Sequence, residues 1–260
     1  MSEQRITGGV EANPHSHPWI VLLRSFHSNK YCGGIILPTY SVNFSSFILT
    51  AAHCVYKSKI SYLLVLAGVH DIQSLSDEGI VAATVKNVFI HPFYLYNSDY
   101  DVAILKLKNP LLYNSYILPA CLPRKNEYLK PRTRCLASGW GAIDGVQNSI
   151  ISRTPIFTTK LMQTEIIIHS HSFCQHESVF YDSYDDEIFI CGGDTFGIKG
   201  ANTRDSGGPL VCMKSGVWTL YGVVKARGHH HETQPSLFIS TARITAWLES
   251  YTNFTDFEKR

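Results

Sequence analysis

The sequence predicts an all-β protein that ends in a short helix, and three observations predict it. Short runs rich in Val, Ile, Leu, Phe and Tyr recur along the chain, clusters of Gly, Pro, Asn, Ser and His separate them, and apolar residues take helical spacing only near the end. The runs are "PWIVLLRS", "GGIILP", "FILTAA", "YLLVLAG", "DVAILKL", "WTLYGVV" and "SLFIST". Each has the length of a strand and is bounded by turn-forming residues. In "TARITAWLES", Ile244, Trp247 and Leu248 fall on one helical face. The pattern fits a barrel and a sandwich equally.

At 260 residues with 45% hydrophobic content, the chain can bury a large core as one all-β domain. The formal net charge of +2 is too small to point to a nucleic-acid or membrane-surface partner. No apolar run approaches a membrane span. The start, "MSEQRITGG", has neither the basic stretch nor the apolar stretch of an export signal. The seven cysteines are scattered without the paired CxxC spacing of a zinc site. They fit an oxidising, secreted setting, as do the sequons that begin at Asn43 and Asn253. An extracellular location is therefore expected, with the export signal in an upstream region. No cofactor and no metal are expected. Three consecutive histidines in "GHHHE" (228–232) cannot all face one ion, so that stretch reads as a surface loop, like the acidic "YDSYDDE" (181–187).

The motifs that carry chemistry are "TAAHC" at 50–54, "DYDVAIL" at 99–105 and "DSGGPL" at 205–210. A serine hydroxyl is a poor nucleophile until a base takes its proton. An imidazole can do that near neutral pH, and a buried carboxylate fixes its tautomer and steadies the imidazolium. The order His, Asp, Ser resembles the trypsin-like (chymotrypsin family) serine proteases and differs from the subtilisin and α/β-hydrolase orders. That resemblance implies His53 as base, Asp101 as orienting carboxylate and Ser206 as nucleophile. Asp101, not Asp99, directly precedes the apolar run, so Asp99 is expected to cap the preceding loop or face solvent.

The resemblance covers nearly the whole chain. It implies two packed six-stranded antiparallel β-barrels with a C-terminal α-helix, and protein or peptide substrates cleaved through an acyl-enzyme. "RITGG" at 5–9 is similar to the activation junction of a protease zymogen. Residues 1–5 would be a residual propeptide and 6–260 the protease domain. Cleavage after Arg5 would free the Ile6 amino group to pair with Asp205, and leaving either buried charge unpaired would cost roughly 3–5 kcal/mol. The family pattern also pairs Cys32 with Cys54, Cys135 with Cys212 and Cys174 with Cys191. Cys121 is left over, and it is expected to tether an upstream chain or domain. In "AGVHDIQSLSDEG", Val69 and Gly79 stand where calcium-binding members carry carboxylates, so no calcium is expected there.

The sequence departs from the family around the cleft. Asn202 takes the place of a half-cystine, and "KARGHHHETQPSLF" lacks its partner, so the pocket walls should be looser. Gly200 falls at the pocket floor where a trypsin carries aspartate, which implies non-tryptic specificity. Ser236 replaces a wall glycine, and Lys225, Ala226 and Arg227 replace the segment that pairs with extended substrate. Lys225 is expected to point towards Asp101, where it would either satisfy the carboxylate or draw it away from His53. Arg204 stands where glycine is usual. Its backbone N–H and that of Ser206 would form the oxyanion hole. An arginine there costs about 1–3 kcal/mol if its backbone is strained, and a lost donor would slow turnover ~10²–10³-fold. Its side chain should lie over the leaving-group side and hinder protein inhibitors. The alternative function is a catalytically weak or inactive protease-like domain that binds a protein partner.

Overall fold

The computed structural model describes residues 9–26, 30–75, 79–95, 99–143, 156–177, 184–193, 200–201, 204–227 and 235–252. A short strand, β1 (Val10–Glu11), precedes the first barrel. That barrel comprises β2 (Ile20–Ser25), β3 (Lys30–Ile36), β4 (Phe44–Thr50), β5 (Leu63–Ala67), β6 (Val81–Ile90) and β7 (Ala103–Leu112). Its spatial order is β2-β3-β4-β7-β6-β5, closed by antiparallel pairing of β5 with β2.

The second half begins with β8 (Arg134–Gly139) and a two-stranded ribbon of β9 (Ala142–Ile143) and β10 (Ile156–Phe157). It continues through β11 (Met162–Ile168), β12 (Phe189–Gly193), β13 (Pro209–Lys214), β14 (Val217–Arg227) and β15 (Ser236–Ser240). The order β11-β12-β15-β14-β13-β8 closes because β8 pairs back onto β11, while β1 lies along the other edge of β11. The sequence's barrel-or-sandwich ambiguity thus resolves into the two six-stranded barrels that the resemblance implied.

Burial explains why some strands read as unbroken apolar runs. On β2, Val21 and Leu23 enter the first barrel's own core, whereas Ile20 and Leu22 belong to the cluster that also holds Val211, Leu220 and Ile239 of the second half. A strand apolar on both faces loses the alternation of a half-exposed one. By contrast, β11 alternates buried and half-buried residues along Met162–Ile168, as expected where one face is dry.

Among the described residues, a 3-10 turn at Ile60–Tyr62 and three short α-helices, α1 (Ala52–Val55), α2 (His171–Glu177) and α3 (Thr245–Thr252), complete the fold. The last starts later and runs further than the periodicity in "TARITAWLES". Ile244 and Leu248, one helical turn apart, are both buried against the second barrel. Disulfides join Cys32 to Cys54, Cys135 to Cys212 and Cys174 to Cys191, and Cys121 is free and exposed. Leu248 is fully buried, so Leu248→Ala is expected to cost about 2–5 kcal/mol. Denaturant unfolding with the disulfides intact measures it, and an unchanged midpoint would place α3 outside the core.

Candidate active site

The two barrels meet at a glycine seam. The Gly33 N–H on β3 donates to the Ser206 carbonyl at 2.8 Å, and the Thr50 hydroxyl donates to the Gly33 carbonyl at 2.7 Å. A Cβ on Gly33 would lie 2.7 Å from the Gly208 Cα, so the turn after Ser206 can approach β3 only because glycine stands there. Gly207, at φ +81°, packs against Gly33 and Thr50 in the same way. The seam places the Ser206 turn beside α1, which begins two residues after Thr50 and carries His53.

Asp101 lies just ahead of β7 and is 3% exposed. Its Oδ1 accepts the His53 backbone N–H at 2.8 Å, and its Oδ2 lies 2.6 Å from the His53 Nδ1. An ionised carboxylate only accepts, so this contact puts the imidazole proton on Nδ1 and leaves Nε2 as a proton acceptor. The Asp101 backbone is pinched by a 2.7 Å bond from the Val102 N–H to the Tyr100 carbonyl. The Tyr100 ring stacks on His91 at 4.4 Å with 6° between planes, and Trp247 of α3 meets His91 edge-on at 4.8 Å. The C-terminal helix therefore braces the loop that presents Asp101.

Ser206 lies in the turn between Asp205 and β13. Its hydroxyl donates to the Lys225 carbonyl at 3.4 Å, a long bond that leaves it easily turned. Neither the Arg204 nor the Ser206 backbone N–H has an acceptor among the described residues. Two uncommitted donors beside one hydroxyl are what an oxyanion would need. Arg204 has φ +76°, left-handed geometry that glycine takes freely and arginine takes at a cost of about 1–3 kcal/mol.

The family model described as Trypsin matches residues 6–248. The chain belongs to the trypsin family of serine proteases. It is similar to transmembrane protease serine 9 of Rattus norvegicus, at 31% identity over 98% of this chain and 23% of that protein. The chain thus spans about a quarter of the length of that relative.

Within this trypsin-family frame, Asp205 is 3% exposed, and its Oδ1 accepts the Gly141 N–H at 2.9 Å. A Cβ on Gly139 or Gly141 would overlap that carboxylate. These two glycines, which make room for the Asp205 carboxylate, are positions that the sequence reading missed, and the glycines flanking Trp140 in "SGWGA" were the signal for them. Arg5 and Ile6 lie outside the described residues, as do Asn202, Asn253 and the loops at 228–232 and 181–183. Asn43 is exposed at the start of β4.

Gly200 is buried. Ser236 is fully buried, and its hydroxyl accepts the Ala201 N–H at 3.0 Å, a polar link between β15 and the Gly200–Ala201 segment. Ala226 and Arg227 continue β14, with backbone partners Leu237 and Ser236 on β15; their side chains lie outside the described residues. The Lys225 Nζ sits over the Phe189 ring at 4.6 Å. Burial pulls its pKa below the ordinary lysine value, while Asp101 and Asp99 push the other way. The lysine therefore feels Asp101 without capturing it, and the carboxylate stays on His53. Asp99 is half-buried and its charge reaches Lys225, so it does more than face solvent.

Among the described residues, the one cluster of metal-type ligands is Cys32, His53 and Cys54. Both sulfurs are committed to a disulfide, so they offer no thiolate.

Burial lowers the His91 pKa from 6.5 to about 4. The folded state then holds His91 neutral while the unfolded chain protonates it, so stability is complete above pH 6.5 and declines as pH falls towards about 4. Melting temperatures across that window should fall with pH in the parent and fall less in His91→Phe. Parallel profiles would mean that His91 is not the titrating group.

Proposed function

We propose that the chain is a secreted serine endopeptidase that hydrolyses peptide bonds through an acyl-enzyme. His53 is the base, Asp101 its orienting carboxylate and Ser206 the nucleophile, with the Arg204 and Ser206 N–H groups as the oxyanion hole. The observation that carries this reading is the doubly bonded, buried Asp101 beneath His53, since a carboxylate buried there holds the base in the tautomer that accepts a proton from serine. The Ser206 hydroxyl must turn from the Lys225 carbonyl towards Nε2, and catalytic contacts often tighten only when substrate binds.

Activation is cleavage after Arg5, which divides residues 1–5 from a protease domain at 6–260. The new Ile6 amino group pairs with Asp205, whose carboxylate already lies in the Gly139–Gly141 cradle. Gly200, in place of an acidic floor, supports a non-tryptic preference. Cys121 tethers an upstream segment, consistent with an exposed thiol and with a chain that matches part of a longer relative. Asn43 and Asn253 carry glycans, and Arg204 hinders protein inhibitors from the leaving-group side.

The second reading, a protease-like domain that binds a partner without turnover, draws on one observation: the Ser206 hydroxyl bonds Lys225 and not the imidazole. A fluorophosphonate separates the two, because it reports an activated serine without needing the right substrate. The chain cleaved after Arg5 should label at Ser206, and Ser206→Ala should abolish the labelling. Asp101→Asn should slow peptide turnover by ~10⁴-fold. No labelling after confirmed cleavage would contradict the endopeptidase reading and support the binding domain.

A further inference from the structure

Two arginines, Arg204 of the Ser206 turn and Arg24 of β2, each rest on aromatic rings and share Tyr31. The Arg204 guanidinium carbon lies 3.3 Å from the Phe157 ring centroid and 5.9 Å from that of Tyr31. The Arg24 guanidinium lies 4.8 Å from the Phe26 ring and 5.7 Å from the same Tyr31 ring. Arg24 and Tyr31 are cross-strand partners on β2 and β3. Tyr31 thus has a guanidinium from each barrel beside it.

Neither arginine has a carboxylate within ion-pair reach among the described residues. The Arg24 Nε is moreover buried without an acceptor. A buried donor left unmade costs about 1–3 kcal/mol, and two cations gathered around one ring repel each other. A solvated surface arginine would escape both costs by swinging into water. Here the rings meet the two guanidinium groups by their faces, so it is the terminal N–H groups, not the buried Arg24 Nε, that remain to meet an anion. The site has positive charge supported on aromatic rings, and among the described residues it lacks a counter-charge.

Its place in the cleft says which part of a ligand would supply that charge. Arg204 is two residues from Ser206 in sequence, and Tyr31 is two residues from Gly33, whose N–H binds the Ser206 carbonyl. A peptide whose acyl half runs along the β14 edge passes Ser206 and leaves over Arg204 and Tyr31. An extended chain advances about 3.3–3.6 Å per residue, so the pair of arginines falls opposite the first few leaving-group residues.

We propose that Arg204 and Arg24, held on Phe157, Tyr31 and Phe26, form a subsite for an acidic side chain within the first three residues on the leaving-group side of a bound peptide. The subsite rests on the reading of this cleft as peptide-binding. It makes Arg204 a specificity residue as well as part of the turn. Selection comes from charge-assisted, in-plane hydrogen bonds to a carboxylate, which a neutral isostere forms only weakly.

The test uses the full chain carrying Ser206→Ala, cleaved after Arg5, so that binding is measured without turnover. Fluorescent peptides that differ only by Glu, Gln or Lys at each of the three leaving-group positions are titrated by anisotropy. At one of those positions Glu should bind about ten- to 150-fold more tightly than Gln, the worth of one charged hydrogen bond, and Lys more weakly than either. Raised salt should shrink the preference. Arg204→Gln or Arg24→Gln should each reduce it, and the double variant should remove it. Equal binding of Glu and Gln peptides, or a preference that survives the double variant, overturns the subsite alone. Failure of every peptide to bind overturns the peptide-cleft reading and the subsite with it.

Discussion

The architecture depends on the close contact between Gly33 and the turn after Ser206. One N–H from the first barrel holds the Ser206 carbonyl of the second at 2.8 Å. There is no room for a Cβ on Gly33 against the Gly208 backbone. Thr50 fixes the Gly33 carbonyl from the other side and leads directly into α1. His53 and the Ser206 hydroxyl therefore come from different barrels but share one short run of hydrogen bonds. A side chain added at the seam would separate them before it disturbed either core.

The second constraint is electrostatic. Asp101 is buried, and two bonds to His53 satisfy it. The lysine at 225 brings a second cation near that carboxylate, yet its amine rests on Phe189. Ser236 offsets part of what the missing bridge would have braced, through a bond from the Ala201 N–H to a fully buried hydroxyl. Arg204 holds the left-handed geometry usually left to glycine, and its side chain rests on the rings of Phe157 and Tyr31. The departures from the family pattern thus adjust the cleft while its hydrogen-bonded frame stays in place.

Much of this was legible in the sequence. The motifs around His53, Asp101 and Ser206 gave the chain order, and the family resemblance implied all three disulfide pairings. Strands apolar on both faces, such as β2, announced themselves as continuous runs. Strands with interrupted patterns were harder: β6 reads "VAATVKNVFI" with exposed and buried residues mixed by a bulge between Val85 and Asn87. The Lys225 ambiguity could not be resolved along the chain, because it depends on Phe189, which lies thirty-six positions away in sequence and beside it in space. The pairing of Arg24 with Arg204 around Tyr31 is of the same kind, since the two arginines belong to different barrels.

The central claim is that cleavage after Arg5 yields a serine that acylates and then turns over. A rapid-mixing experiment with a nitrophenyl ester reads both steps at once. The cleaved chain should release a burst of nitrophenol stoichiometric with Ser206, followed by a slower steady release as the acyl-enzyme hydrolyses, while the uncleaved chain and Ser206→Ala show no burst. A burst of equal size before and after cleavage, or none in the cleaved chain, would contradict the account.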